Sequence, residues 1–419
     1  MLGSSDYTHA WKGKTMRKYR PMKKTYYDMK RKVADTEVVR QRRIESESTI
    51  VLDFCIGEYP AFVVYCDELM AGIERFSHAD KKMTELVYRL PGLAVWAYIR
   101  KQLVEEMQQS NEIENVRSTR KEIQDAIETN ARRDTRFRKM AHKYIALIEK
   151  QNIPLQTNAD IRQLYDDFML DEVLREDPAN APDGKIYRKT PVQVYSNGEK
   201  MIHEGVFPES KIENMMGKAL AFLHDESYHT LIRVASFHYL FAYIHPFYDG
   251  NGRMTRFISS YMANQQFDTL LAIGMSTTIK KHRKEYYRLF ADTNDKHNYG
   301  DMTAFVIAFI QWMQETAEGI AEKLHDITNQ LESYKQRCEA LHLSQTLENT
   351  LWILVQQTIC SDYGLSKQTL REHLDKSHAT IDKQLNQLAP YIHMQKDGRK
   401  YTYLANLTAL DRVEVQASS

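Results

Sequence analysis

Cysteine is scarce and unpaired in this 419-residue sequence. The four, Cys55, Cys66, Cys338 and Cys360, form no CxxC pair, so neither a zinc site nor a disulfide framework is indicated. Long apolar runs are missing as well. No segment approaches the ~18 to 20 apolar residues of a membrane span, and the opening MLGSSDYTHAWKGK lacks the apolar centre of a secretory leader. No membrane partner is expected, and a reducing cytoplasm is the simplest compartment. The phosphate-binding GxxxxGK[ST] loop, a GxGxxG after a strand and an HExxH pair are all absent. So are internal repeats and low-complexity tracts. There is almost no net charge, +1, but it is unevenly spread. Residues 1–43 hold 13 Lys/Arg against 4 Asp/Glu, a local +9. This arm, KGKTMRKYRPMKKTYYDMKRK, interleaves tyrosines with its basic residues. A solvated, partly ordered tail is the simpler reading, and contact with nucleic acid or an acidic partner is the other.

What is present is apolar periodicity near 3.6 residues, so a mostly helical protein is expected. A first part, 1–85, would hold the basic arm and then helices, although STIVLDFCIGEYPAFVVYC fits helix or strand. MTELVYRLPGLAVWAYIRKQLVEEMQQ predicts two helices meeting at Pro91, and RSTRKEIQDAIETNARRD a further one behind a capping-box-like start. With NIPLQTNADIRQLYDDFM they make a helical part over 86–175. The next part, 176–315, opens on a stretch rich in Pro, Gly and Asn. Within it PVQVYSNGEKMIH sets two short extended runs about Asn197-Gly198, the strongest short hairpin signal. Helices then resume, from SKIENMMGKALAFLHD through YHTLIRVASFHYLFAYI to DMTAFVIAFIQWMQ. A charged connector helix over 316–342 leads to 343–419. There three helices and a hairpin about Asp397-Gly398 predict a winged helix-turn-helix.

One stretch carries chemistry: HPFYDGNGRMTR, residues 245–256. Ile244 closes an apolar helix and Pro246 stops it, which places His245 at a helix-to-loop junction. An imidazole can take a proton from a hydroxyl near neutral pH. Phe247 is expected to anchor the loop in the core. Asp249 offers a hard oxygen suited to Mg²⁺. Gly250 and Gly252 let backbone N–H groups approach an anion closely, and a helix starting near Arg253 adds its positive end. Arg253 and Arg256 are three apart and share a helix face. Two guanidinium groups beside an N–H cradle and a metal carboxylate describe a polyphosphate site. With a base alongside, the chemistry is nucleotidyl or phosphoryl transfer, which rests on positioning and charge neutralisation.

Together the twelve residues resemble the Fic signature, HxFx(D/E)GNGRxxR, with every fixed position present. The resemblance extends over roughly residues 90 to 315. It implies a helical Fic core with a β-hairpin flap, and transfer of AMP from ATP to a Tyr, Ser or Thr hydroxyl of a target protein, the chain itself included. By the same resemblance His245 would be the base and Asp249 would hold Mg²⁺ on the α- and β-phosphates. Asn251, with the backbone of Gly250 and Gly252, would form the α-phosphate's anion hole. Arg253 would meet the β-phosphate and Arg256 the γ-phosphate. The Asn197 hairpin would register the target by main-chain pairing. Tyr286 and Tyr287, in KEYYRLF, lie where the family places adenine contacts. A phosphate-transferring branch has lysine at the position of Gly252, so AMP transfer is favoured here.

Upstream, SNEIEN places Ser110 and Glu114 four apart on one helix face. Pattern alone suggests a surface helix with a solvated acid. Set before a Fic core, it resembles the (S/T)xxxE(G/N) motif of self-inhibited members, in which the glutamate pairs with the position of Arg256 and displaces the γ-phosphate. In some members it also assists removal of AMP. His224, His229 and His238, spaced by 5 and 9, do not share a face and are expected to pack. The competing class is a DNA-binding regulator, with Lys376, His378, Thr380, Lys383, Gln384 and Gln387 on or near the recognition helix and Lys396, Arg399 and Lys400 in the wing. Asp375 and Asp382 dilute that face. A second copy of the chain, as a homodimer, is the remaining partner considered.

Overall fold

The computed structural model describes residues 18–128, 135–196, 200–397 and 400–415. The protein is mostly helical, 67% helix and 8% strand. In chain order come α1 (Met22–Asp28), α2 (Val33–Ile44), the strands β1 (Thr49–Ile56) and β2 (Tyr59–Val64), α3 (Asp67–Arg89), α4 (Gly92–Ile113), α5 (Arg120–Glu128) and α6 (Arg138–Ile148). Next are α7 (Asn158–Phe168), α8 (Leu170–Glu176), the hairpin strands β3 (Gln193–Ser196) and β4 (Lys200–Glu204), α9 (Glu209–His224), α10 (Thr230–Ile244) and α11 (Asn251–Asn264). Then follow α12 (Thr269–Ala272), α13 (Met275–Lys281), α14 (Arg283–Asn294) and α15 (Thr303–Ala340). The chain ends with α16 (Gln345–Cys360), β5 (Leu365–Ser366), α17 (Lys367–Leu374), α18 (His378–Gln387), β6 (Ile392–Asp397), β7 (Lys400–Ala405) and α19 (Leu407–Leu410). The Asn197-Gly198 turn and the Gly398 and Arg399 positions lie outside the described residues.

Packing divides the chain into two units that interleave along the sequence: 1–77, 152–263 and 281–314 in the first, 78–151, 264–280 and 315–419 in the second. In the first, α10 is buried on nearly every side, from Thr230 to Phe241 and at Ile244. A helix that is apolar all round belongs in the middle, and α9 packs along it. Phe290 stands 5.7 Å from Tyr239 and 4.8 Å from Phe305, which joins α14 and the start of α15 to α10. The stretch that fitted helix or strand is the β1–β2 hairpin: Ile50, Leu52, Phe54 and Ile56 are buried alternately, a period of two. The basic arm is not a solvated tail over its described residues. Met22 is fully buried, Tyr26 stacks on His297 at 4.2 Å, and Lys23 pairs with Asp292 and Asp295 at 2.8 and 2.9 Å. Buried Asp301 accepts from the Tyr19 hydroxyl and the Met22 N–H at 2.9 and 3.0 Å.

In the second unit α3 and α4 meet at Pro91, and Thr119 and Glu122 form a capping box at the start of α5. Glu106 of α4, fully buried, accepts from the Ser276 N–H and hydroxyl at 2.8 and 2.5 Å. No separate connector stands at 316–342, because α15 runs unbroken for 38 residues from Thr303. The C-terminal segment builds its own core from Leu351, Leu354, Val355, Leu370, Ile381, Leu385, Leu388 and Tyr403. Its three strands are ordered β5-β7-β6, all antiparallel. α16 packs on α4, and Asp362 receives Lys101 at 2.8 Å and Arg120 at 3.1 Å.

Candidate active site

The twelve-residue stretch folds as the end of α10, a tight turn and the first turns of α11. Pro246 cannot continue α10, and His245 caps it in the left-handed region, φ 51° and ψ 62°. Its N–H bonds to Phe241 O at 3.0 Å. Its Nδ1 lies 3.3 Å from Ala242 O. A carbonyl only accepts, so this contact puts the proton on Nδ1 and leaves Nε2 as the basic nitrogen. Phe247 anchors the turn as expected: it is fully buried, stacked on Tyr165 at 3.7 Å and edge-on to Tyr187 at 5.5 Å.

α11 begins at Asn251, earlier than the expected start near Arg253, so Gly252 and Arg253 stand inside its first turn. The backbone N–H groups there have no partner within the helix. Gly250 has φ +81°, and its carbonyl accepts from Met254 N–H at 2.9 Å. A Cβ at Gly250 would come 3.3 Å from Met169. Asn251 braces the turn with its amide, Oδ1 accepting from Phe247 N–H at 3.0 Å and Nδ2 donating to Phe247 O at 2.8 Å. The NH2 group carries two hydrogens, so one side-chain donor remains beside the backbone N–H at this position.

Asp249 is half-buried, and its Oδ1 accepts from Gly250 N–H at 2.5 Å. Arg253 is 1% exposed, and none of its three guanidinium nitrogens has a hydrogen-bond partner among the described residues. The nearest carboxylates, Asp249 and Glu176, stand 3.6 and 3.8 Å from Nη2, close enough for attraction and too far for a hydrogen bond. Sequence reasoning missed Glu176, because nothing in its neighbourhood marks the end of α8 as lying beside the motif. Arg256 is fully buried, one turn along α11. Among the described residues there is no group of three or more His, Cys, Asp or Glu placed to hold a metal. A single carboxylate fits Mg²⁺, which keeps waters and substrate phosphates as its other ligands.

The hairpin is fastened to the end of α10. Val206 N–H donates to Ile244 O at 3.0 Å, and the His203 ring stacks on Tyr243 with Nε2 2.7 Å from Tyr243 O. The three other histidines are structural. His224 bonds Leu155 O at 2.9 Å, and His229 caps α10 by accepting from Leu231 N–H. His238 is fully buried between Ser259 and Tyr286, at 2.9 and 2.8 Å; burial, then the Arg256 charge, pushes its pKa down to about 3. Tyr286 is therefore part of the core. It is 3% exposed, its hydroxyl is taken by His238, and it meets Phe290 edge-on at 4.9 Å. Contact with an adenine would need it to leave that packing. Tyr287 is half-buried under Arg283, 5.7 Å from ring to guanidinium. Ser110 is buried in α4, and half-buried Glu114 caps that helix, followed by Asn115 in the left-handed region. Both belong to the second unit and the twelve-residue motif to the first.

Residues 156–263 match the sequence model of the Fic/DOC family. Among solved structures the chain is similar to a Fic family protein from Desulfovibrio desulfuricans G20, with 20% identity over 79% of this chain and 96% of that one, at a TM-score of 0.48. It is also similar to Fic-1 from C. elegans, with 18% identity, 74% and 81% coverage and a TM-score of 0.46. A Fic domain containing signaling protein from Bacteroides thetaiotaomicron VPI-5482 matches at 14% identity, 60% and 95% coverage and a TM-score of 0.44.

Proposed function

We propose that the chain transfers AMP from ATP to a hydroxyl group of a protein, and that Glu114 restrains this activity. The observation that carries the reading is Arg253, a buried cation beside the N-terminus of α11 with no hydrogen bond among the described residues. A buried guanidinium left without hydrogen-bond partners is costly, and a phosphate chain would satisfy it. His245 supplies the second half. With its proton held on Nδ1, Nε2 takes the hydroxyl proton as the target oxygen attacks the α-phosphorus. The bond from that phosphorus to the bridging oxygen breaks, and pyrophosphate leaves with its charge held by Arg253 and Arg256. The α11 backbone N–H groups stabilise the charge gathering on the α-phosphate. Mg²⁺, when bound, would neutralise phosphate charge, and Asp249 would hold it. The turn brace of Asn251 keeps these parts in register.

The complete motif and the glycine at 252 support AMP over phosphate as the transferred group. The (S/T)xxxE(G/N) resemblance supports Glu114 as the restraint, acting on Arg256, and allows the same carboxylate to assist removal of AMP. The order helix, strand, helix, helix, hairpin in 345–405 supports a winged helix. The test pairs two variants. His245→Ala should reduce AMP incorporation by about 10²- to 10⁴-fold, the usual worth of a positioned base. Glu114→Gly should raise it sharply. Full activity in the first variant removes His245 as the base, and unchanged activity in the second removes the restraint.

A further inference from the structure

Arg188 lies outside the groups that the proposed reaction uses, yet it is fully buried beside them. Its guanidinium has no carboxylate partner among the described residues. It donates instead to three backbone carbonyls: Nε to His245 O at 2.9 Å, Nη1 to Thr190 O at 2.7 Å, and Nη2 to Val206 O at 2.8 Å. Those carbonyls come from three separate places. Thr190 precedes β3, Val206 follows β4, and His245 caps α10. One planar fork thus joins both feet of the hairpin to the backbone of the base.

The surrounding loop is built to deliver this fork. Glu209, at the start of α9, accepts from the N–H groups of Lys185, Ile186 and Tyr187 at 3.1, 2.8 and 2.9 Å. Asp183 accepts from Lys189 N–H at 2.9 Å and from the Tyr248 hydroxyl at 2.8 Å. Tyr248 in turn accepts from Thr190 N–H at 3.1 Å, a second tie between the hairpin foot and the motif. Gly205 leaves the necessary room. A Cβ there would come 2.6 Å from Arg188 Nη2 and 3.1 Å from His245 Cβ. His245 itself sits in a backbone region that side chains other than glycine seldom occupy, and such a residue persists only where its surroundings over-determine it. The Arg188 bond to its carbonyl is one of those constraints, with the Phe241 and Ala242 contacts.

We propose that Arg188 is a positioning residue that locks the β3–β4 hairpin and the His245 imidazole into one unit. It rests on the transfer reading: the hairpin receives the target segment, His245 takes its proton, and Arg188 fixes one against the other. Lysine cannot substitute, since a single nitrogen does not present three donors in a plane. Phosphate binding, by Arg253, Arg256 and the start of α11, does not pass through Arg188.

The experiment compares Arg188→Lys and Gly205→Ala with their parent, all carrying Glu114→Gly, using the His245→Ala chain as acceptor. Three quantities are read: the kcat of AMP transfer, the Kd for ATP, and the ¹⁵N resonances of the His245 ring. The expected result is a kcat lower by about 10²-fold, the usual cost of a misplacement near 1 Å, with the Kd for ATP unchanged. The His245 ring should move from the Nδ1–H pattern toward a mixture of tautomers. Folded Arg188→Lys protein with the parent's kcat and the parent's ring spectrum overturns the proposal. If Arg188→Lys does not fold, Gly205→Ala, which keeps the arginine but crowds its fork, decides by the same readings. A parent that transfers no AMP counts against the transfer reading alone, and the ring spectrum then decides on Arg188.

Discussion

Arg253 weighs differently on folding and on phosphate binding. It is a buried charge whose nitrogens lack hydrogen bonds among the described residues, a condition that costs stability. Arg253→Met should therefore leave the ligand-free protein as stable as before, or more stable by about 1 kcal/mol or more, since well-packed apolar groups often outperform buried charges. The same change should abolish the rise in thermal midpoint on adding ATP. Loss of stability with retained ATP stabilisation would contradict the role given to Arg253. His238 makes a pH prediction. Folding holds its pKa near about 3, through burial and the Arg256 charge. An unfolded histidine titrates near about 6.5, so below that pH the unfolded chain takes up a proton that the folded one refuses. This contribution is full above about pH 6.5 and is lost toward pH 3, by roughly 1.4 kcal/mol per pH unit. His238→Gln should flatten the fall in thermal midpoint between neutral and acid pH, and an equal slope in both proteins would show that His238 is not its source. The packing role of His238 was legible from its spacing. Its partner was not: Tyr286 sits 48 residues away, and only the fold reveals that its hydroxyl is occupied.

At the level of elements, the turn between α10 and α11 was the most readable part of the chain. Pro246, Gly250 and the apolar Phe247 each dictate local geometry, and each does what its chemistry requires. Asn251 was less readable, because nothing in the sequence tells that its Oδ1 and one Nδ2 hydrogen go to the Phe247 backbone. Phe247→Ala should cost about 3 to 5 kcal/mol in urea unfolding, as for other buried aromatics. Asn251→Ala should cost about 1 to 3 kcal/mol through the orphaned backbone groups. A smaller loss at Phe247 than at Asn251 would mean that hydrogen bonds, not packing, hold the turn. The β1–β2 hairpin was ambiguous for a different reason. Its strict alternation covers only Ile50 to Ile56, and β2 follows with the continuous buried run Ala61, Phe62 and Val63, which a helix interior would also show.

For the whole molecule, the sequence suggested parts in chain order, whereas packing joins distant segments into two interleaved units. Periodicity carries no information about which helices become neighbours. The basic arm shows the same limit. Its excess of positive charge suggested solvation, but Lys23 and Arg43 face acids near the far end of the first unit, at Asp292, Asp295 and Asp301. In the C-terminal segment, residues 343–419 hold 8 Lys/Arg and 8 Asp/Glu, no net charge. Gln384, expected on the DNA-reading face, is buried against Thr350, and Asp382 pairs with Lys367 at 2.5 Å. That balance argues against a phosphate-binding face, and the packing of α16 on α4 favours a structural attachment. Its bridge is half-exposed at both ends, so Asp362→Ala should cost no more than about 1 kcal/mol. A much larger loss would show that the ion pairs, and not the apolar contact, hold the segment. AMP transfer is read by incubating the Glu114→Gly protein with Mg²⁺ and ATP labelled on either the α- or the γ-phosphate, and measuring protein-bound label. Label from the α-position alone is the predicted result. Label from the γ-position would mean phosphate transfer and would contradict the reading of Gly252, and label from neither would contradict the transfer reaction itself.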